Sequence, residues 1–326
     1  MKKGFIEGLI VFVVIIIAYL LHISQEFYLI HIFSLIGIYV LLVLGLNMVI
    51  GYTGLLDLGF IAFYGIGAYS AALLSICGLS FWIVLPISIF ITCFFRYLLG
   101  KSLMRLRGDY LAIVTLGFGE ITRLVLNNWD ALTNGPKGLP RVGEKIQEIR
   151  LFSFAFREEL HFFYLILFWV IISIFIIRRI EKSKIGRAFV SIREDETAAE
   201  VTGIDTSYIK MLSFVMSSAL ASIAGTIYVH WIGFVSPESF TFWESVLLVC
   251  IVVLGGIGSI YGIILGAILL VGMPEFLRTI LGGEFVLYRM LIFGLLMVFM
   301  VIFRPQGIIP EKRHEWELKE VKELGS

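Results

Sequence analysis

Charges embedded in long apolar runs are the residues here most able to carry function, because a charge facing lipid costs about 2 to 3 kcal/mol or more. Glu120 sits in the middle of the apolar stretch 109–127, and Arg123, three residues on, shares its helical face. That spacing leaves two roles open: an ion pair that locks the helix, or a carboxylate beside a transport path or subunit seam. Asp57, Glu244, Glu275 and Arg278 fall near the ends of apolar runs, where capping and snorkelling account for them. Glycines form the second group. Gly258, Gly262 and Gly266 are spaced by four, with Gly255 and Gly256 just ahead. Such a stripe either lets a neighbouring helix approach closely or marks a broken helix whose amides face a substrate path.

What is missing narrows the chemistry. No Gly-x-x-x-x-Gly-Lys-Ser/Thr occurs, so the chain has no phosphate-cradling loop of the usual kind and any ATP must be used by a partner. No Ser-His-Asp arrangement or paired carboxylates in a soluble region is evident, which argues against an enzyme. His22, His31, His161, His230 and His314 show no metal-site spacing and read as interfacial or solvated. Cys77, Cys93 and Cys250 lie in apolar stretches and read as buried small hydrophobes. No metal and no cofactor is expected.

The elements that must position these residues are membrane helices. The chain is 59% hydrophobic and 16% charged, too little polar surface for a soluble globule. Its net charge of +1 comes without a basic stripe, so no nucleic-acid partner is implied. The reading is an all-α, polytopic helical bundle with about ten transmembrane spans, some short or broken at glycines. They lie near 5–23, 31–50, 58–76, 81–99, 110–127, 160–177, 211–232, 242–254, 261–271 and 285–303. The first follows Met1-Lys-Lys-Gly and is kept as a helix, since its apolar core is longer than that of a signal peptide and no small-residue cleavage site follows. Residues 1–310 form the transmembrane domain and 311–326 a charged tail.

Orientation follows from the basic residues, which concentrate on the cytoplasmic side. With Lys2 and Lys3 inside, a loop holding Arg96, Lys101, Arg105 and Arg107 falls inside, as do 178–210 and the tail after Arg304. Residues 129–159 fall outside, their basic residues offset by Asp130, Glu144, Glu148, Glu158 and Glu159. Five spans precede that outer loop and five follow, which would give halves of opposite topology. Gly51-Tyr-Thr-Gly54 and Gly255-Gly-Ile-Gly258 occupy comparable places in the two halves.

Residues 178–210 are the charged segment between two apolar runs. Arg178, Arg179, Lys182, Lys184 and Arg187 crowd its start. Its second half carries Arg193, Glu194, Asp195, Glu196 and Glu200 around Ala198, Ala199 and Val201, with Gly203 where a helix would stop. That pattern predicts a short helix on the cytoplasmic membrane surface.

GRAFVSIREDETAAEVTGID (186–205) resembles the cytoplasmic loop of the permease subunits of ATP-binding cassette (ABC) importers, specifically the LivM-type branched-chain amino acid permeases. The general Glu-Ala-Ala-x-x-x-Gly signature appears as Thr197-Ala198-Ala199 and Gly203, with the glutamate displaced to Glu196, and Ser213-Phe-Val-Met216 stands where Ile-x-Leu-Pro is usual. The stretches 51–74 and 108–139 resemble the same family, and the likeness spans about 35–310. It implies a permease paired with a second branched-chain permease, two cytoplasmic ATPases docked on the 178–210 loops, and an extracytoplasmic binding protein that delivers Leu, Ile or Val. Related permeases carry urea or short amides. A secondary transporter that needs no ATPase is the remaining class, and Glu120 is the one convincing buried acid it would have.

Overall fold

The computed structural model describes residues 27–103, 106, 108–151, 154–276, 294–295, 298–299 and 307–309. The expected first span and the charged tail lie outside them, as does nearly all of 285–303. The helices are α1 (Phe27–Thr53), α2 (Phe60–Ile76), α3 (Phe81–Leu103), α4 (Asp109–Asn128), a single turn α5 (Asp130–Thr133), α6 (Glu159–Glu181), α7 (Lys184–Glu194), α8 (Glu196–Val201), α9 (Thr206–Ile232), α10 (Phe242–Gly255) and α11 (Ile260–Ala267). A π turn at Ile268–Gly272 extends α11. Each apolar run expected between 31 and 271 is therefore helical, with ends displaced by a few residues. Five stretches are long and apolar enough to cross a bilayer on length and composition: Phe27–Thr53, Phe81–Leu103, Glu159–Glu181, Thr206–Ile232 and Pro237–Gly255. The figure of about ten crossings stays a sequence expectation. The small departure from an all-α chain is a two-residue ladder, β1 (Arg150–Leu151) against β2 (Phe154–Ala155).

The bundle is organised on α1 and α9, the two most buried of these helices. From Val40 to Thr53 every residue of α1 is buried, so the helix is apolar all round because it is surrounded. Helix α9 instead carries Ser213, Ser217, Ser218, Ala221, Ser222, Ala224 and Gly225 in its buried set. Small residues let helix backbones meet where lipid gives no hydrophobic drive to association. A Cβ at Gly225 would stand 2.6 Å from the Tyr64 carbonyl oxygen of α2, and one at Gly67 of α2 would stand 2.6 Å from Ser222 Cα. Hydroxyls complete the seam with α3: Ser88 lies 2.7 Å from Thr226, and Thr92 donates to Ser222 at 3.1 Å.

The 129–159 segment is rich in turns. Asn134 takes the left-handed conformation (φ 62°) at the end of α5, and its side-chain amide donates to Gly138 O at 2.8 Å. Leu139 exchanges backbone hydrogen bonds of 2.9 Å with Val235, which fastens this segment to the connection after α9.

Candidate functional site

The charged loop folds as two helices. Ser183 accepts from Gly186 N at 3.3 Å and starts α7. Asp195, in extended conformation, ends α7 and starts α8 by accepting from Thr197 N (2.8 Å) and Ala198 N (3.0 Å). Gly203 closes α8 at φ +87° with its amide on Glu200 O, a conformation that favours glycine. Helix α7 buries Gly186, Phe189 and Ile192, one face of three turns, against α1, α6 and α9. In α8 only Ala199 is buried, while Ala198 and Val201 are exposed, Val201 at 85%.

The acids of this loop are largely engaged within the chain. Glu196 pairs with the buried Lys210 at 2.5 Å, Glu200 accepts from Thr206 Oγ1 at 2.9 Å, and Asp195 serves as the cap. Glu194 is exposed. Arg193 reaches inward: its Nη1 donates to Gly51 O at 2.7 Å, in the last turn of α1. The loop is thus bolted to the bundle through Arg193, and its outward surface is small and mixed, made of Ala198, Val201, Thr197 and Glu194.

The glycine stripe divides between a turn and a helix face. Gly256 (φ 117°) and Gly258 (φ 87°) make the turn between α10 and α11, so Gly258 does not share a helical face with the other two. Gly262 and Gly266 face α10. A Cβ at Gly262 would overlap the Gly255 carbonyl, and one at Gly266 would come within 2.7 Å of Ile251 O. Turn amides are engaged, Gly256 N with Val252 O, Gly258 N with Asn47 Oδ1 at 2.9 Å and Ser259 N with Gly256 O, while Leu254 O and Gly255 O accept from Ile308 N and Ile309 N. Close packing is the role the geometry supports. It also brings the two glycine-rich breaks together, since a Cβ at Gly51 would meet both Asn47 Oδ1 and Gly258 N.

Glu120 and Arg123 pair as their spacing suggested, with Arg123 Nε and Nη2 each 3.0 Å from Glu120 Oε2. The pair is a third exposed, on a face of α4 that also presents Ile113, Ile121 and Leu124 outward. Asp57 and Arg96 overturn two expectations. Arg96 is no loop residue but lies inside α3, fully buried, and Asp57 is a fully buried partner to it. The guanidinium is held between the rings of Phe63 (4.3 Å) and Phe214 (4.1 Å). The other Asp57 oxygen accepts from Gly59 N at 3.0 Å, ahead of α2. Asp57 is therefore sealed inside the bundle and does not snorkel.

Three further residues have surroundings that sequence did not indicate. Glu244 lies in the first turn of α10, near a helix end as expected, but that turn sits beside the middle of α1, where Tyr39 Oη donates to it at 2.6 Å. His230 is buried, its Nδ1 2.8 Å from Thr226 O. Cys77 is exposed at the end of α2, with Cys93 and Cys250 half-buried. Glu275 takes a 3.4 Å hydrogen bond from Tyr28, and Arg278 lies outside the described residues. No metal-binding cluster of His, Cys, Asp and Glu is found among the described residues.

Residues 28–301 match the family described as "Branched-chain amino acid transport system / permease component". The chain belongs to this family. It is 44% identical over 302 residues to the high-affinity branched-chain amino acid transport system permease protein LivM of Salmonella typhimurium, covering 86% of this chain and 70% of the relative. It is 28% identical over 289 residues to the permease protein BraD of Pseudomonas aeruginosa, covering 83% and 91%. The high-affinity branched-chain amino acid transport system permease protein LivH of Salmonella typhimurium is 26% identical over 286 residues, covering 83% and 91%. No solved structure matches. The chain is accordingly a multi-pass membrane transport permease.

Proposed function

We propose that this chain is one of two permease subunits of an ABC importer that carries branched-chain amino acids inward, powered by ATPase subunits docked on α7 and α8. The 44% identity to a branched-chain permease over most of the chain is the observation that carries the cargo. A LivH-type permease is the expected partner, because that relative is itself similar to this chain. The half-exposed Glu120–Arg123 pair on α4 suits the seam between the two, where a protein neighbour, and not lipid, would cover a charge. Residues 178–210 then lie in the cytoplasm, with both termini, and 129–159 outside, facing the binding protein.

The contacts suggest how force would travel. An ATPase gripping Ala198 and Val201 moves α8 and α7 together, since Asp195 caps one where the other ends. Arg193 passes that movement to Gly51, and Asn47 carries it on to Gly258 between α10 and α11. Each link is a hydrogen bond between elements that are otherwise rigid, and the two glycine turns are the places with backbone freedom to bend.

Affinity purification from the native membrane tests the assignment. Two ATPase subunits and a second permease should copurify, and the complex should hydrolyse ATP faster with an amino-acid-loaded binding protein. Recovery of the chain alone, with uptake that follows an ion gradient, would favour the secondary-transporter reading.

A further inference from the structure

A cavity of about 150 Å³ opens beside the mid-point of α1. Its lining is Tyr39 and Glu244, the apolar Leu35, Leu42 and Ile61, and Tyr64, Tyr228 and Ser239. It is smaller than the roughly 300 Å³ at which clefts for drug-sized ligands begin, which leaves room for a molecule of several heavy atoms. Its walls come from α1 and α2 on one side and from α9, the 237–240 turn and α10 on the other. In the inverted-repeat reading of the sequence these are corresponding elements of the two halves, and substrate sites of repeat-built transporters lie at that seam near mid-membrane.

Helix α10 places Glu244 there because it begins partway through the bundle. Its 14 residues span about 21 Å at about 1.5 Å per residue, short of a hydrocarbon core about 30 Å thick. The longer apolar stretch Pro237–Gly255 is not one helix, since Thr241 is extended (ψ 162°) between the 3₁₀ turn and α10. Glu244 is half-buried, accepts from Tyr39 Oη at 2.6 Å, and has no Lys, Arg or His within ion-pair distance among the described residues. A carboxylate at that depth is costly without a cation.

Resting on the importer reading above, we propose that this cavity is a way-station for the cargo. Glu244 receives the α-ammonium group, held in position by Tyr39, and Leu35, Leu42 and Ile61 receive the branched side chain. Recognition is thus of a primary ammonium joined to a small aliphatic group.

Saturation-transfer NMR on the purified permease–ATPase complex, without binding protein, tests this with leucine and with 4-methylpentanoate, the same skeleton lacking the amine. Leucine should bind, and 4-methylpentanoate should bind about tenfold more weakly or not at all. Glu244→Gln should weaken leucine about tenfold or more and abolish the preference for the amine. Tyr39→Phe should weaken leucine by a few-fold, and Ser239→Leu, which fills the cavity, should exclude leucine more strongly than the smaller valine. Should Glu244→Gln not assemble, the last two variants decide. Leucine binding by Glu244→Gln within twofold of wild type overturns the proposal, as does undiminished binding by both Tyr39→Phe and Ser239→Leu. A Na⁺-dependent signal indifferent to the amine would assign Glu244 to an ion instead and overturn it too. ATP-driven leucine uptake by wild-type proteoliposomes separates the two claims: uptake unaffected by Glu244→Gln sinks the cavity alone, and no uptake of any branched-chain amino acid by wild type sinks the importer reading.

Discussion

Asp57–Arg96 and Glu120–Arg123 are the same chemical pair in two environments. The first is sealed, with side-chain exposures of 0% and 1%, and the guanidinium lies between two aromatic rings. The second is 33% and 26% exposed, on a helix face that among the described residues also turns Ile113, Ile121 and Leu124 outward. Two more pairs complete a gradient: Lys210–Glu196 at 3% and 20%, and Arg157–Glu148 at 67% and 41%. What an ion pair does here follows its burial. The sealed one holds helices together, the half-buried one pins the loop, and the exposed ones set which surfaces lie against water or protein.

The largest effect is expected at the sealed pair. Arg96→Leu strands Asp57 as an uncompensated buried charge, a cost of about 3 to 5 kcal/mol. Monodisperse protein on size exclusion in detergent should nearly vanish. Asp57→Asn with Arg96→Met should recover most of it; a double variant no better than the single would mean the pair is not what holds α3.

Glu196→Lys comes next, since it sets a second cation against buried Lys210. The cost is about 1 to 3 kcal/mol, felt locally, so protease cleavage in 194–205 should accelerate while the bundle stays folded. Unchanged cleavage would place α8 independently of Lys210.

Glu120→Ala should cost about 1 kcal/mol or less in the isolated chain yet reduce copurification of the second permease. Expression and uptake separate its roles when Arg123→Ala is added: recovery of both marks a structural pair, recovery of expression alone marks a path residue. An effect on stability as large as that of Arg96→Leu would break the burial gradient.

The smallest effect belongs to Glu148, whose carboxyl is held below its ordinary range by the hydrogen bond from Arg157 and then by Arg150. Because the folded value is lowered, this contribution is present above the ordinary carboxylate pKa and is lost as pH falls through the folded one. Any difference between wild type and Glu148→Gln should therefore shrink in acid, with full screening by salt. A difference that grows in acid would contradict the pairing.

The helices were legible because hydropathy alone dictates them, and Glu120–Arg123 because three residues on one helix must meet. Asp57–Arg96 was not, since its partners are 39 residues apart and Arg96 precedes Lys101, Arg105 and Arg107 in a run that reads as one basic loop. The expected 81–99 span already held Arg96, but its grouping with those residues hid that its side chain turns into the bundle. The loop pattern gave α8 and its Gly203 stop but concealed α7, which amphipathic spacing at Gly186, Phe189 and Ile192 would have shown. Glu244 was misplaced because a helix that starts at mid-depth looks, in sequence, like one that starts at the surface. The glycine stripe revealed close packing, but that Gly258 turns toward Asn47 depends on a positive φ and a distant partner.

The central claim is that ATP hydrolysed by docked subunits drives transport through α7 and α8. The most direct measurement is leucine uptake into proteoliposomes holding the whole importer, with ATP and ion gradients varied separately, for wild type and Ala198→Trp. Uptake by wild type should require ATP and ignore the ion gradients, and Ala198→Trp, exposed and far from every sealed contact, should assemble in the membrane but lose uptake about tenfold or more. Uptake that follows an ion gradient without ATP, or full activity in Ala198→Trp, would contradict it.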